Sequence, residues 1–359
     1  MSALKSLTDL APAEIRGLVT GCGEPVYRAG QLQRHIYQGL ALSFAEMTDL
    51  PVTLREKLAR KTALHSLAPR EEIKGRSTVK TLFTLADGKT IESALMTYPG
   101  GRYTVCLSTQ VGCPIGCPFC ATGQQGFERN LTAGEMVDQV LYFARHLRDR
   151  AAGSITNLVF MGMGEPLANY ENLRQAIECL NSPEGFGLGA RHLTVSTSGL
   201  VPQIRQFSRE RLQVGLAVSL HAPENALRDR LVPVNKRYPL EELMPACREY
   251  TEATGRRLSL EYILFAGVND SLEQARALAR WLKGWNSHVN LIPANRTADP
   301  DFRPPAGNRA LAFQKELQKM GIACTRRQPR GQDIEAGCGQ LRSRFLSLQV
   351  AEKEVQDIF

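Results

Sequence analysis

This sequence predicts an α/β fold: a partial (β/α)6 barrel, preceded by a small helical domain and followed by a C-terminal extension. Three observations carry the prediction. From residue 103 onward, short apolar segments alternate with amphipathic ones, which implies parallel strands joined by right-handed helical crossovers. The apolar segments are apolar almost throughout, as in strands buried on both faces. Before residue 70 there are no such segments, only stretches with apolar residues at helical spacing.

The elements follow in order. LTDLAPAEIRGLVTGCG, YRAGQLQRHIYQGL and PVTLREKLARKTAL read as helices, with Gly21 and Gly23 stopping the first. Residues 1–70 therefore form the helical domain. VKTLFTLADGKTIESALMTY alternates about the turn Ala86-Asp87-Gly88-Lys89, which predicts a β-hairpin linker over 71–98. The main body spans 99–330. Its strands are YTVCLS, NLVFMG, HLTVSTS, VGLAVSLH, LSLEYILF and VNLIP. Its helices are TAGEMVDQVLYFARHL, YENLRQAIECLN, VPQIRQFS, LEELMPACREYTEAT and SLEQARALARWLKGW, with AFQKELQKM and the strand GIACTRR beyond them. Six such units fit an incomplete barrel at least as well as an open doubly wound sheet, and either places active residues at the strands' C-terminal ends. Residues 331–359 form the C-terminal segment.

The chain has 359 residues, 43% of them hydrophobic, which suffices for a large core. No apolar run is long enough to span a bilayer, and MSALKSLTDLAPAE lacks the apolar core of a signal peptide. A cytoplasmic protein with no membrane partner is expected. In that setting the nine cysteines read as thiols or metal ligands rather than a disulfide framework. The formal net charge of +8 favours a polyanionic partner such as nucleic acid. The basic residues fall in short clusters (Arg55, Lys57, Arg60 and Lys61; Arg256 and Arg257; Arg326, Arg327 and Arg330) rather than in a tail.

The stretch with the most chemistry is GCPIGCPFCATG, where Cys113, Cys117 and Cys120 are spaced C-x3-C-x2-C directly after the first barrel strand. Pro114, Gly116 and Pro118 prevent a helix and favour a tight loop that aims thiolates inward. Two readings stand: a zinc loop completed by a distant ligand, or a 4Fe–4S cluster with three protein ligands and one open iron. Other polar groups sit at later strand ends. NLVFMGMGEPLANY brings Gly162, Gly164 and Glu165; VSTSG brings Ser196; AVSLHAP brings Ser219, Leu220 and His221; VNLIPAN brings Asn295. Each alone is an ordinary cap or satisfied polar group. At successive strand ends they suggest a shared ligand pocket.

The C-x3-C-x2-C loop resembles that of the radical S-adenosylmethionine (SAM) superfamily, and MGMGEPL resembles its element for the SAM ammonium group. Phe119 matches the aromatic often found near the SAM adenine. The ordered strings CLSTQVGCPIGCPFCATG, FMGMGEPLANY, VSTSGLVP, SLHAP, LVPVNKRYPL, VNLIP and DIEAGCGQL resemble, more closely, the RlmN family. The resemblance implies a radical SAM barrel carrying one 4Fe–4S cluster on Cys113, Cys117 and Cys120. It also implies SAM contacts from Gly164, Glu165, Ser196, Ser219, Leu220, His221 and Asn295. The implied activity is methylation of carbon 2 of adenine in 23S rRNA, and in some members of the adenine 3′ of the anticodon in tRNA, using two SAM per methylation. Cys338 matches the methyl-carrying cysteine and Cys106 the thiol that resolves the protein–RNA adduct by a disulfide with it. Glu92 matches the family's proton acceptor. A reductant such as flavodoxin or ferredoxin is implied, and a monomer is expected.

The resemblance assigns RNA binding to the N-terminal domain. One departure stands out: Arg296 follows VNLIPAN where the family often has proline. The related Cfr type, which methylates carbon 8, is the alternative, but QVGC and VSTSG lean towards the carbon-2 group. A zinc-stabilised RNA-binding protein without catalysis is the rival from another class. Cys22, Cys179, Cys247 and Cys324 read as ordinary thiols.

Overall fold

The structure, a computed structural model, describes residues 4–210, 212–295, 302–327, 331–337 and 339–341. Three helices come first: α1 (Pro12–Thr20), α2 (Tyr27–Tyr37) and α3 (Val52–Lys61). Their apolar stripes are buried through Ile15, Val19, Leu32, Ile36, Leu54 and Leu58. Four strands follow: β1 (Leu67–Lys74), β2 (Thr78–Leu85), β3 (Thr90–Tyr98) and β4 (Arg102–Cys106).

A short ribbon, β5 (Gln110–Gly112) and β6 (Phe127–Asn130), brackets α4 (Ala121–Gln124). The barrel then runs α5 (Ala133–Arg148), β7 (Asn157–Phe160), α6 (Tyr170–Asn181), β8 (Leu193–Thr197), α7 (Val201–Arg209) and β9 (Gly215–Ser219). It continues with α8 (Asn225–Leu231), α9 (Leu240–Thr254), β10 (Leu258–Leu264), α10 (Leu272–Leu282), β11 (Ser287–Pro293), α11 (Gly307–Lys319) and β12 (Cys324–Arg326).

The large sheet has ten strands in the order β1-β2-β3-β4-β7-β8-β9-β10-β11-β12. β1 to β4 pair antiparallel, and every later pair is parallel. This is the predicted incomplete barrel, with strands in sequence order and a helix over each crossover. Local chemistry starts the helices where the sequence needs them. Thr132 accepts from Glu135 N–H while Glu135 accepts from Thr132 N–H at the head of α5, and Ser271 and Gln274 do the same for α10.

The hairpin over 71–98 differs from the expectation of a linker. β3 hydrogen-bonds to β4 from Ala94↔Cys106 to Tyr98↔Arg102, so the hairpin continues the barrel sheet. It also gains β1, which begins at Leu67, within the stretch read as helical. LAPREEIK lacks apolar alternation because it is a mostly exposed edge strand, with a bulge between Pro69 and Glu71.

The helical domain packs on α5. Asp9 accepts from Gly134 N–H at 2.7 Å, and Arg145 donates to the Leu40 carbonyl at 2.9 Å. One buried apolar cluster runs from Leu7 through the barrel to Leu341. A second encloses the cysteine loop, through Phe119, Val232, Ile263, Phe265, Ile292 and Phe302. Among the described residues, no helix is long and apolar enough to cross a membrane.

Candidate active site

The cysteine loop leaves the β5–β6 ribbon and ends on α4. Cys113 N–H donates to the Gly126 carbonyl at 2.8 Å, closing its base. Gly112 is required there: its φ is +74°, and a Cβ would lie 1.9 Å from the Gly126 oxygen. Cys113, Cys117 and Cys120 then line one cavity of about 150 Å³ with Phe119, Gly164, Glu165, Ser196, Ser219 and His221. Burial pushes the Cys113 thiol up to about 12 and the Cys117 thiol well above its ordinary value, with Glu165 and the neighbouring thiols adding to both. Binding to a positive metal centre would offset that cost. Among the described residues, no three His, Cys, Asp or Glu side chains are placed to hold a single metal ion.

The opposite wall is made by strand ends. Gly164 has φ +106°, and a Cβ would meet Gln110 at 2.7 Å, so only glycine lets this turn lie against the start of β5. Glu165 is engaged on both oxygens. Oε1 accepts from Leu167 N–H at 3.1 Å, and Oε2 from both the N–H and the hydroxyl of Ser198 at 2.7 Å. Burial nevertheless raises its pKa against those bonds. The carboxylate thus ties the β7 turn to the β8 turn while it faces the cavity.

His221 sits at φ +59°, in the left-handed region, where a non-glycine residue is strained. Its Nδ1 accepts from Ile263 N–H at 3.1 Å, which assigns the neutral ring's proton to Nε2. Burial, with the nearby Arg228 charge, pulls it down to about 3, so the imidazole is neutral. Its ring meets Phe119 edge-on at 5.2 Å, and Phe119 also packs on Phe265 at 5.3 Å.

Arg228 organises this end of the barrel from behind. It is fully buried on α8. Nε donates to the Leu220 carbonyl (3.1 Å) and Nη1 to Asn235 (2.9 Å). Nη2 donates to the Ser198 carbonyl (2.6 Å) and the Ser219 carbonyl (3.2 Å). One guanidinium therefore fixes the ends of β8 and β9. Burial brings it down to about 10, still cationic at neutral pH.

A second cavity adjoins the first and shares Cys120, Met161, Gly162, Ile292, Arg327 and Gly339 with it. Cys106, at the end of β4, and Asn295, after β11, lie on its wall, as do Ala336 and Gly337 of the C-terminal segment. That segment is fastened to the cysteine loop: Ala121 N–H donates to the Gly339 carbonyl at 2.9 Å, and the Thr122 hydroxyl to the Leu341 carbonyl at 2.6 Å.

The comparisons with known proteins agree with this arrangement. The family model described as the radical SAM superfamily matches residues 107–281, and the ribosomal RNA large subunit methyltransferase N-terminal domain matches 5–64. A probable dual-specificity RNA methyltransferase RlmN from Heliobacterium modesticaldum is 50% identical over 342 residues, covering 94% of this chain and 89% of the relative. This chain belongs to the RlmN family. A second RlmN relative, from Moorella thermoacetica, is 46% identical over 98% of this chain and 100% of its own. The crystal structure of a radical SAM methyltransferase from Sphaerobacter thermophilus matches with a TM-score of 0.92 and 50% identity, over 94% of this chain and 99% of that one.

Against the RlmN-family expectations, the structure collects most of the site but not all of it. Cys113, Cys117, Cys120, Gly164, Glu165, Ser196, Ser219 and His221 share the first cavity, while Cys106 and Asn295 share the second. Leu220 does not line either: its side chain is fully buried in the main core, because the chain turns inward between Ser219 and His221. Glu92 lines neither cavity; it is 2% exposed and pairs with Lys80 at 3.1 Å. Cys338 and Arg296 lie outside the described residues.

Sequence reasoning missed Ser198, Arg228 and Arg327. Ser198 carried a signal, since VSTSG offers a second serine one residue beyond the strand. Arg228, in NALRDRL, has the look of a surface charge on an amphipathic helix, and nothing local marks it as buried.

Proposed function

We propose that this chain is a radical SAM RNA methyltransferase that places a methyl group on carbon 2 of adenine in large-subunit ribosomal RNA and, as a dual-specificity enzyme, in tRNA 3′ of the anticodon. The observation that carries the reading is the pair of adjoining cavities. Three half-buried thiols share the wall of the first with Glu165 and two serine hydroxyls, and Cys106 shares the second with both described neighbours of the C-terminal loop's cysteine position, Gly337 and Gly339.

The first cavity fits an iron–sulfur cluster held by Cys113, Cys117 and Cys120, with the polar wall facing it for a chelating ligand. Reduced, such a cluster supplies the electron that cleaves SAM. Glu165, Ser196 and Ser219 would orient the SAM amino acid and ribose groups, and Phe119 and the neutral His221 would bound the adenine. Asn295 reaches the neighbouring cavity, where the second half of the chemistry is placed.

There the Cys338 thiolate takes a methyl group from one SAM. Loss of hydrogen from that S-methyl group, driven by a second SAM, lets the carbon add to the adenine. The radical adduct passes its odd electron back to a one-electron carrier as Glu92 accepts the carbon-2 proton. The Cys106 thiolate then attacks the Cys338 sulfur, so the S–S bond forms as the S–C bond breaks. The carbon leaves with the electron pair and takes a proton to become the methyl group. Carbon 2 of adenine is electron-poor, so polar methyl transfer is hard there and a carbon radical avoids the obstacle. A one-electron donor such as flavodoxin or ferredoxin is needed.

The test is nucleoside mass spectrometry of RNA treated with the anaerobically reconstituted protein, SAM and a reductant. The expected product is 2-methyladenosine. Only 8-methyladenosine would overturn the carbon-2 assignment, and a colourless protein that leaves SAM intact would overturn the cluster.

A further inference from the structure

The C-terminal segment is tied down at two places, one of which the reaction scheme does not use. Besides its contacts to the cysteine loop, it is held by the β1–β2 hairpin. Arg76 N–H donates to Asp333 Oδ2 at 2.9 Å. The turn residue is Gly75, where a Cβ would stand 2.7 Å from the same oxygen, so the carboxylate is seated against bare backbone. Lys80 Nζ donates to the Glu335 carbonyl at 3.4 Å and pairs with Glu92 Oε1 at 3.1 Å.

Sheet register explains why this lysine is in position. Lys80 lies directly opposite Ala94, and Ala94 directly opposite Cys106. Residues opposite one another in antiparallel strands share a face, as do residues two apart on one strand. Lys80, Glu92, Met96 and Cys106 are therefore on one face, and Met96 and Cys106 line the cavity bordered by Ala336, Gly337 and Gly339. A lysine with a side chain 2% exposed is unusual. Its ammonium has three donors to place, and the acceptors it reaches are a carboxylate oxygen on β3 and a main-chain carbonyl of the loop.

We propose that Lys80 is a positioning residue: it clasps the loop over residues 331–341 to the sheet face that carries Glu92 and Cys106, and so sets where the thiol of residue 338 meets both. The inference rests on the roles given above to Cys338, Cys106 and Glu92. The Asp333 seat is a second, independent fastening near the loop's start.

Two measurements on the reconstituted full chain test it. In Lys80→Met, hydrogen exchange of peptides within 331–341 rises about tenfold, with the cysteine loop unchanged. The ratio of 5′-deoxyadenosine formed to adenine methylated rises about fivefold, because radicals are generated beside a misplaced loop. Lys80→Arg restores both at least halfway.

Unchanged exchange overturns the clasp. A fall in both products with an unchanged ratio overturns the positioning role, since that is what partial misfolding gives. If Lys80→Met does not fold, Lys80→Met with Glu92→Gln removes both charges together, and its exchange decides the clasp in the same way. Should the unaltered protein methylate no adenine, the proposed function fails, while the exchange arm still decides the clasp.

Discussion

Replacing Arg228 by Met tests whether one buried cation holds the substrate end of the barrel together. The guanidinium makes four hydrogen bonds, to the carbonyls of Leu220, Ser198 and Ser219 and to Asn235. Hydrogen bonds from a charged donor contribute about 1.5–3 kcal/mol each, so the gross loss is about 6–12 kcal/mol. Methionine returns part of this, because a buried charge no longer has to be desolvated and its side chain fills much of the same space. The net loss is then about 3–5 kcal/mol, the range for removing one partner from a buried polar network. At about 2–4 °C per kcal/mol for a large domain, the melting temperature falls by about 6–20 °C. Differential scanning fluorimetry on the purified chain measures it. The same variant should weaken SAM binding, because the Ser198 and Ser219 carbonyls lose their common anchor. Lys, with one point charge in place of a planar fork, should fall between the two. A shift under about 2 °C would refute the reasoning, showing that the strand ends hold their places without the cation.

Other expectations are equally direct. Gly112→Ala drives a methyl group into the Gly126 carbonyl at 1.9 Å, so iron and sulfide content after reconstitution should drop to about a tenth or less, read by elemental analysis. Cys106→Ala should still methylate Cys338 but accumulate a covalent protein–RNA species on a denaturing gel; normal turnover with free RNA would reject the resolving role.

His65 sits between the Asp138 carboxylate (3.0 Å) and the Ala41 carbonyl (2.9 Å). Burial pulls it down, but the hydrogen bond and charge of Asp138, helped by Ala41, outweigh this and hold it above its ordinary value. A raised folded-state pKa gives stability that is fully present below about pH 6.5 and lost as pH rises through the raised value. Urea midpoints from pH 6 to 8.5 should therefore fall more steeply in the unaltered chain than in His65→Gln, and parallel curves would count against it.

The barrel was legible because its strands are buried on both faces and its helices carry clear stripes: YENLRQAIECLN and LEELMPACREYTEAT are helices from first residue to last. β1 was not, because an exposed edge strand needs no apolar alternation. The cysteine loop and the polar strand ends were legible as motifs, since each is a short string fixed by local geometry. Glu165 was readable as a carboxylate at the site but not as a tie between two turns, because Ser198 reaches it from 33 residues away. Lys80 and Arg228 show the same limit more sharply. A buried cation and a surface one are spelled identically, and only the fold supplies the acceptors that make burial tolerable.

The contacts of the C-terminal segment also fix an order of assembly. The hydrogen bonds that close the base of the cysteine loop, from Gln110 through Gly126 and Asn130 to Glu165, can form once the first half of the chain has been made. The Thr122–Leu341 and Arg76–Asp333 contacts close loops of 219 and 257 residues, and such long closures are late events in folding. A growing chain can thus close the base of the cysteine loop long before residue 338 is synthesised, and the C-terminal segment docks last, onto walls already laid down.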